Sequence, residues 1–156
     1  TGGRLLTVTD TADALLALDS DIMLRVGTLR LVADETVNAA ELRDLAELGF
    51  KFSVNGHALT VADTAIPLAG LNAIELALTS QQLLTSSAVV SVHTAEELAV
   101  KPNLVPASGV TLTIQDTVAH LLDLSEAAQD IADVIRLIPQ HLVRLWVDVG
   151  VAFTEN

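Results

Sequence analysis

Leu6-Thr7-Val8-Thr9-Asp10-Thr11-Ala12-Asp13-Ala14-Leu15-Leu16-Ala17-Leu18 returns as Leu59-Thr60-Val61-Ala62-Asp63-Thr64-Ala65-Ile66-Pro67-Leu68-Ala69-Gly70-Leu71. It returns again as Leu112-Thr113-Ile114-Gln115-Asp116-Thr117-Val118-Ala119-His120-Leu121-Leu122-Asp123-Leu124. Asp10, Asp63 and Asp116 stand 53 residues apart, and six columns hold one residue type in all three copies without a gap. Gly3, Gly56 and Gly109 keep the same register just upstream. Self-similarity at a fixed period marks a chain assembled from stacked supersecondary units.

Leu-Thr-Val alternates apolar and polar residues, the period-two signature of a strand with one buried face. That alternation points Leu6 and Val8 inward and Thr7 and Thr9 outward. The following Asp-Thr suits a helix start, where a carboxylate accepts orphan N–H groups and faces the positive end of the dipole. Leu15 and Leu18 then fall on the inner stripe of a helix, with Ala12 or Ala65 allowing close approach one turn earlier. Pro67 is tolerated in a first turn because the N–H it lacks would be unpaired there.

Each period carries a weaker second unit. In the first, Leu29-Arg30-Leu31-Val32-Ala33 precedes a polar break and a helix from Asn38 to Gly49, in which Asn38 and Glu41 have capping-box spacing and Gly49 supplies a left-handed stop. In the second, Val89-Val90-Ser91-Val92-His93-Thr94 reads as the strand, and a third copy ends in Val143-Arg144-Leu145-Trp146-Val147-Asp148. Strands alternating with helices at a constant period imply parallel strands joined by crossovers. The sequence therefore predicts an α/β strand–helix solenoid, one domain over residues 1–156, with repeats at 3–55, 56–108 and 109–156. The half-period of about 26 residues lies in the ~20–29 range of leucine-rich-repeat coils, without the Asn of that consensus. A doubly wound sheet is the rival, but it does not demand a repeated sequence.

The Leu-Thr-Val-x-Asp-Thr-Ala-x-x-Leu motif, with an Asn-x-Ala-Glu-Leu helix ending in Gly49-Phe50, resembles the repeats of very long, acidic, cysteine-free bacterial proteins. Those are described as adhesin-like, type I-secreted surface proteins. The resemblance spans essentially the whole chain and implies an extracellular or cell-surface location and a structural role; it implies no chemistry. His93, in the Asp column of a second unit, and Lys101-Pro102-Asn103, which breaks a helix, depart from the pattern.

Composition narrows the classes further. Half the residues are hydrophobic (51%), so the chain has the apolar content that disordered segments lack. No window approaches the ~18 uninterrupted apolar residues of a membrane span. A formal charge of −12 argues against a nucleic-acid partner, which needs a basic footprint. The absence of Cys removes disulfides, thiolate metal sites and a thiol nucleophile. Thr1-Gly2-Gly3 reads as a cut end rather than a natural one.

Three sets of candidate functional residues remain. Asp10, Asp63 and Asp116 would line one edge if adjacent coils carried them, an oxygen-rich column suited to Ca2+; against this stands the reading of each as a cap on its own helix. Thr7, Thr60 and Thr113, with Arg30, Arg144 and Trp146, would form a sheet face for a glycan or protein partner. The competing reading is a solvated or covered Thr ladder, with Trp146 closing the end of the stack under the helix over residues 127–138. Catalysis has little to work with: His57, His93, His120 and His141 show no metal-ligand spacing, and nucleophile or phosphate-loop motifs are missing. The expectation is a non-catalytic structural or interaction module whose first partners are neighbouring repeats, with no required cofactor. A glycan- or protein-binding module is the alternative, and a hydrolase using His120 with Ser125 and Glu126 is the remote third reading.

Overall fold

The structure, a computed structural model, describes residues 5–117 together with residues 120, 121, 125 and 128. It is α/β, with short parallel strands alternating with short helices. In chain order the elements are β1 (Leu6–Asp10), α1 (Ala12–Leu16), α2 (Ser20–Met23), β2 (Val26–Leu31), β3 (Glu35–Val37) and α3 (Ala39–Glu47). They continue as β4 (Phe52–Ser53), β5 (Leu59–Asp63), α4 (Ala65–Ala69), α5 (Ala73–Leu78), β6 (Gln81–Leu84), β7 (Ala88–Val90), α6 (Val92–Ala99), β8 (Leu104–Pro106) and β9 (Leu112–Ile114).

The strands form three parallel sheets, ordered β1-β2-β4, β3-β5-β6-β8 and β7-β9. Thr7 faces Thr28 and Asp10 faces Leu31 in the first; Thr60 faces Gln81 and Asp63 faces Leu84 in the second. Glu35 faces Leu59 and Val37 faces Val61, while Ala88 faces Leu112 and Val90 faces Ile114. Gly56 and Gly109 turn the chain into β5 and β9 at φ +83° and +79°, a left-handed backbone that a side chain disfavours.

Leucine fills the space between strands and helices. Leu29, Leu42, Leu45, Leu59, Leu68 and Leu84 are fully buried, and the buried apolar residues form one continuous cluster from Ala12 to Ile114. In α3 the inward positions are Ala39, Leu42 and Leu45, spaced for one helical stripe. The small side chains of Ala12, Ala39 and Ala65, all buried, let the helices start close against the sheet. Helix packs on helix as well, α3 against α1 and α5, and α4 against α6.

Local chemistry sets the boundaries. Asn38 and Glu41 make the predicted capping box on α3, and Asn72 with Glu75 makes a second one on α5 from the same Asn-x-x-Glu spacing. Arg43 of α3 reaches the buried Glu75 carboxylate at 3.7 Å, tying the two helices at their polar side. Gly49 has φ +60°, the expected left-handed stop after α3.

Four local expectations differ from the structure. Leu6, expected to point inward, is exposed because no strand covers that side of β1 among the described residues, and Leu18, expected on the inner stripe of the first helix, lies beyond α1, which ends at Leu16. The strand expected over Val89–Thr94 ends at Val90, because Ser91 caps α6 by accepting the Thr94 N–H at 3.2 Å. The polar break after Ala33 contains β3, a strand that alternation does not reveal because its partner β5 supplies the pairing. Among the described residues no helix is long and apolar enough to cross a membrane.

Candidate functional site

The aspartate column sits where strands hand over to helices. In each copy one carboxylate oxygen receives the N–H of the next residue: Asp10 Oδ1 from Thr11 at 2.8 Å, Asp63 Oδ1 from Thr64 at 2.7 Å, Asp116 Oδ1 from Thr117 at 2.7 Å. The cap position of α1 and α4 itself falls on Thr11 and Thr64, and Thr11 Oγ1 accepts the Ala14 N–H. The aspartates therefore precede the caps rather than acting as them.

The second oxygen reaches a different helix. Asp63 Oδ2 accepts the N–H of Ala39, the first residue of α3, at 3.0 Å; Asp116 Oδ2 accepts that of Val92, the first residue of α6, also at 3.0 Å. The first-turn N–H groups of a helix have no partner within it, and a carboxylate there also meets the positive end of the dipole. For α1 the same service comes from Glu35, whose Oε2 accepts the Ala12 N–H at 2.9 Å. Each carboxylate thus joins two segments some 24 residues apart in the chain.

β1 and β5 belong to different sheets, and Asp10 and Asp63 stand opposite Leu31 and Leu84. The structure does not make Asp10 and Asp63 cross-strand neighbours. Among the described residues no group of three or more His, Asp or Glu is placed to hold a metal ion. The threonine column is graded rather than uniform: Thr7 is exposed, Thr60 half-buried and Thr113 buried. Arg30 is exposed on β2. Arg144, Trp146 and His141 lie outside the described residues.

Four titratable groups, His93, Glu96, Asp116 and His120, gather with Ser91 and Val92 around an open cleft of about 430 Å³. His120 Nδ1 lies 2.7 Å from Asp116 Oδ1, and His93 Nε2 lies 3.4 Å from Glu97 Oε1. The Asp116 side chain is only 15% exposed. Its hydrogen bond to His120, then the N–H donors of Thr117 and Val92, hold the carboxyl below the usual carboxylate value, while burial pushes the other way. A carboxylate-oriented imidazole can take part in proton transfer, but Ser91 Oγ, the hydroxyl lining the cleft, is engaged with Thr94 as the α6 cap. The His-Asp pair links Asp116 to His120 four residues further along.

Sequence reading missed several residues that join neighbouring segments. Asp34 Oδ1 accepts the Ala58 N–H at 2.8 Å and Ser87 Oγ the Thr111 N–H at 2.9 Å. Lys51 Nζ donates to the Met23 carbonyl and Lys101 Nζ to the Leu71 carbonyl. Buried Gln82 donates through Nε2 to the Pro102 carbonyl at 2.7 Å, securing the turn that Lys101-Pro102-Asn103 makes after α6. Only the pair Asp34 and Ser87 carries a sequence signal, since they share a register 53 residues apart.

Comparison with family models, curated proteins and solved structures returns no match.

Proposed function

We propose that the chain is a non-catalytic structural and interaction module, a strand–helix solenoid of 53-residue period from a large adhesin-like protein of a bacterial surface or secretion. One observation supports the reading: two strand registers and the paired ties of Asp34/Ser87 and Asp63/Asp116 stand 53 residues apart. Thr7 opposite Thr28 is followed by Thr60 opposite Gln81, and Glu35 opposite Leu59 by Ala88 opposite Leu112. Asp63 on Ala39 is followed by Asp116 on Val92. In such an array each coil buries its apolar edge against its neighbours, so length is added without new chemistry.

The polar side chains support the same reading. Asp63 and Asp116 each accept a backbone N–H from a segment 24 residues earlier, which joins neighbouring segments, while Ser91, Asn38 and Asn72 cap their own helices. An acidic exterior limits unwanted association of a long chain.

The reading frame around this segment tests the proposal. Further copies in the 53-residue register, with Asp at the Asp10 column, are the expected result. A parent protein that carries no further copy and joins the segment to a catalytic domain would overturn it.

A further inference from the structure

Two ties flank each of two strand pairs. Where β3 meets β5, Asp34 Oδ1 accepts the Ala58 N–H before the pair and Asp63 Oδ2 accepts the Ala39 N–H after it. Where β7 meets β9, Ser87 Oγ accepts the Thr111 N–H and Asp116 Oδ2 the Val92 N–H. On the giving side an acceptor side chain is followed five residues later by the first N–H of a helix. On the receiving side a backbone N–H is followed five residues later by an Asp.

β1 carries the receiving half of this pattern. Leu5 holds the place of Ala58 and Thr111, and Asp10 the place of Asp63 and Asp116. Among the described residues β1 pairs only with β2, and Asp10 Oδ2 accepts no hydrogen bond. The apolar side of the strand is bare as well. Leu6 is 51% exposed where Leu59 and Leu112, its counterparts, are 0% and 1% exposed.

We infer that the free edge of β1 is a docking surface for one more strand–helix coil, supplied by the same polypeptide ahead of β1 and built like residues 34–47. This rests on the reading of the chain as a repeat module. The docking coil presents an acceptor side chain to the Leu5 N–H, a three-residue parallel strand to Leu6–Val8, and the first N–H of a helix to Asp10 Oδ2. Its strand covers Leu6, and the charge of Asp10 meets the positive end of its helix.

A chain in which a copy of residues 26–57 replaces residues 1–4, joined directly to Leu5, puts the copied Asp34 and Ala39 in register with Leu5 and Asp10. The melting temperature should rise by roughly 2–8 °C, and exchange of the Leu5 amide should slow by about tenfold or more. Asp10→Ala should lower the melting temperature of the extended chain and leave that of the original chain nearly unchanged. An extended chain that melts no higher, a Leu5 amide that exchanges as before, or an Asp10→Ala effect equal in both chains would each overturn the inference. Self-association of the original chain through Leu5–Asp10 would also overturn it, by assigning the edge to a second copy. Further repeats in the parent frame would leave the module reading standing even then, so the two failures are distinguishable.

Discussion

β1 and β5 share Leu-Thr-Val, an Asp at the same position and the same register to the following strand, yet their environments differ. β5 lies between β3 and β6 with Leu59 and Val61 fully buried; among the described residues β1 has one neighbour, with Leu6 exposed and Val8 half-buried. Identical local sequence thus gives an identical strand but not an identical core. Burial comes from the neighbouring segment: β5 is flanked by β3, and among the described residues β1 has no such partner on that side.

The largest effect that tests this contrast is in the apolar column. Leu59→Ala should cost about 2–5 kcal/mol, the transfer term of a buried leucine plus the cavity left behind. Leu6→Ala should cost under about 1 kcal/mol, because half its surface is already in water. Chemical denaturation of both variants decides the point, and equal losses would remove the contrast.

A smaller effect belongs to the aspartates. Asp63→Ala frees the N–H groups of both Thr64 and Ala39, and should cost about 1–3 kcal/mol. Asp10→Ala frees that of Thr11 alone among the described residues, and should cost about 0.5 kcal/mol or less. Hydrogen exchange at Ala39 in Asp63→Ala reads the tie directly; protection there that survives the substitution would mean that Asp63 is not what holds the first turn of α3.

The smallest is a protonation effect at Asp116. Its folded-state pKa is depressed, so its contribution to stability is present above the unfolded-state value and is lost as pH falls through the folded one. The loss therefore falls on the acid side of the usual carboxylate range. His120→Ala removes the largest cause of the depression and should move the Asp116 carboxyl resonance titration upward. A titration unchanged in that variant would assign the depression to the Thr117 and Val92 N–H groups instead.

Local features were legible in the sequence. The strands at Leu59 and Leu112, the helix starts after Asp10-Thr11 and Asp63-Thr64, the Asn38–Glu41 box and the Gly49 stop all follow from short-range patterns. What reaches across the chain was not. The Asp63 residue type is equally suited to capping its own helix, and only the fold places Ala39 against its second oxygen. Glu35-Thr36-Val37 is too short and too polar to announce a strand, yet β5 recruits it. His120 and Asp116 are four residues apart, a spacing that helices bring together, but their meeting with α6 depends on the pairing of β7 with β9. The Asn72–Glu75 box carried the same signal as the first one and was open to the same reading.

The lysines impose a chemical constraint. The chain has two, Lys51 and Lys101, and both ammonium groups donate to backbone carbonyls, of Met23 and Leu71, some 30 residues earlier. Neither amine is a spare handle. Acylating reagents, crosslinkers and surface-coupling chemistries that target lysine would remove a donor that joins distant segments, so a label on this protein is better carried by its many carboxylates.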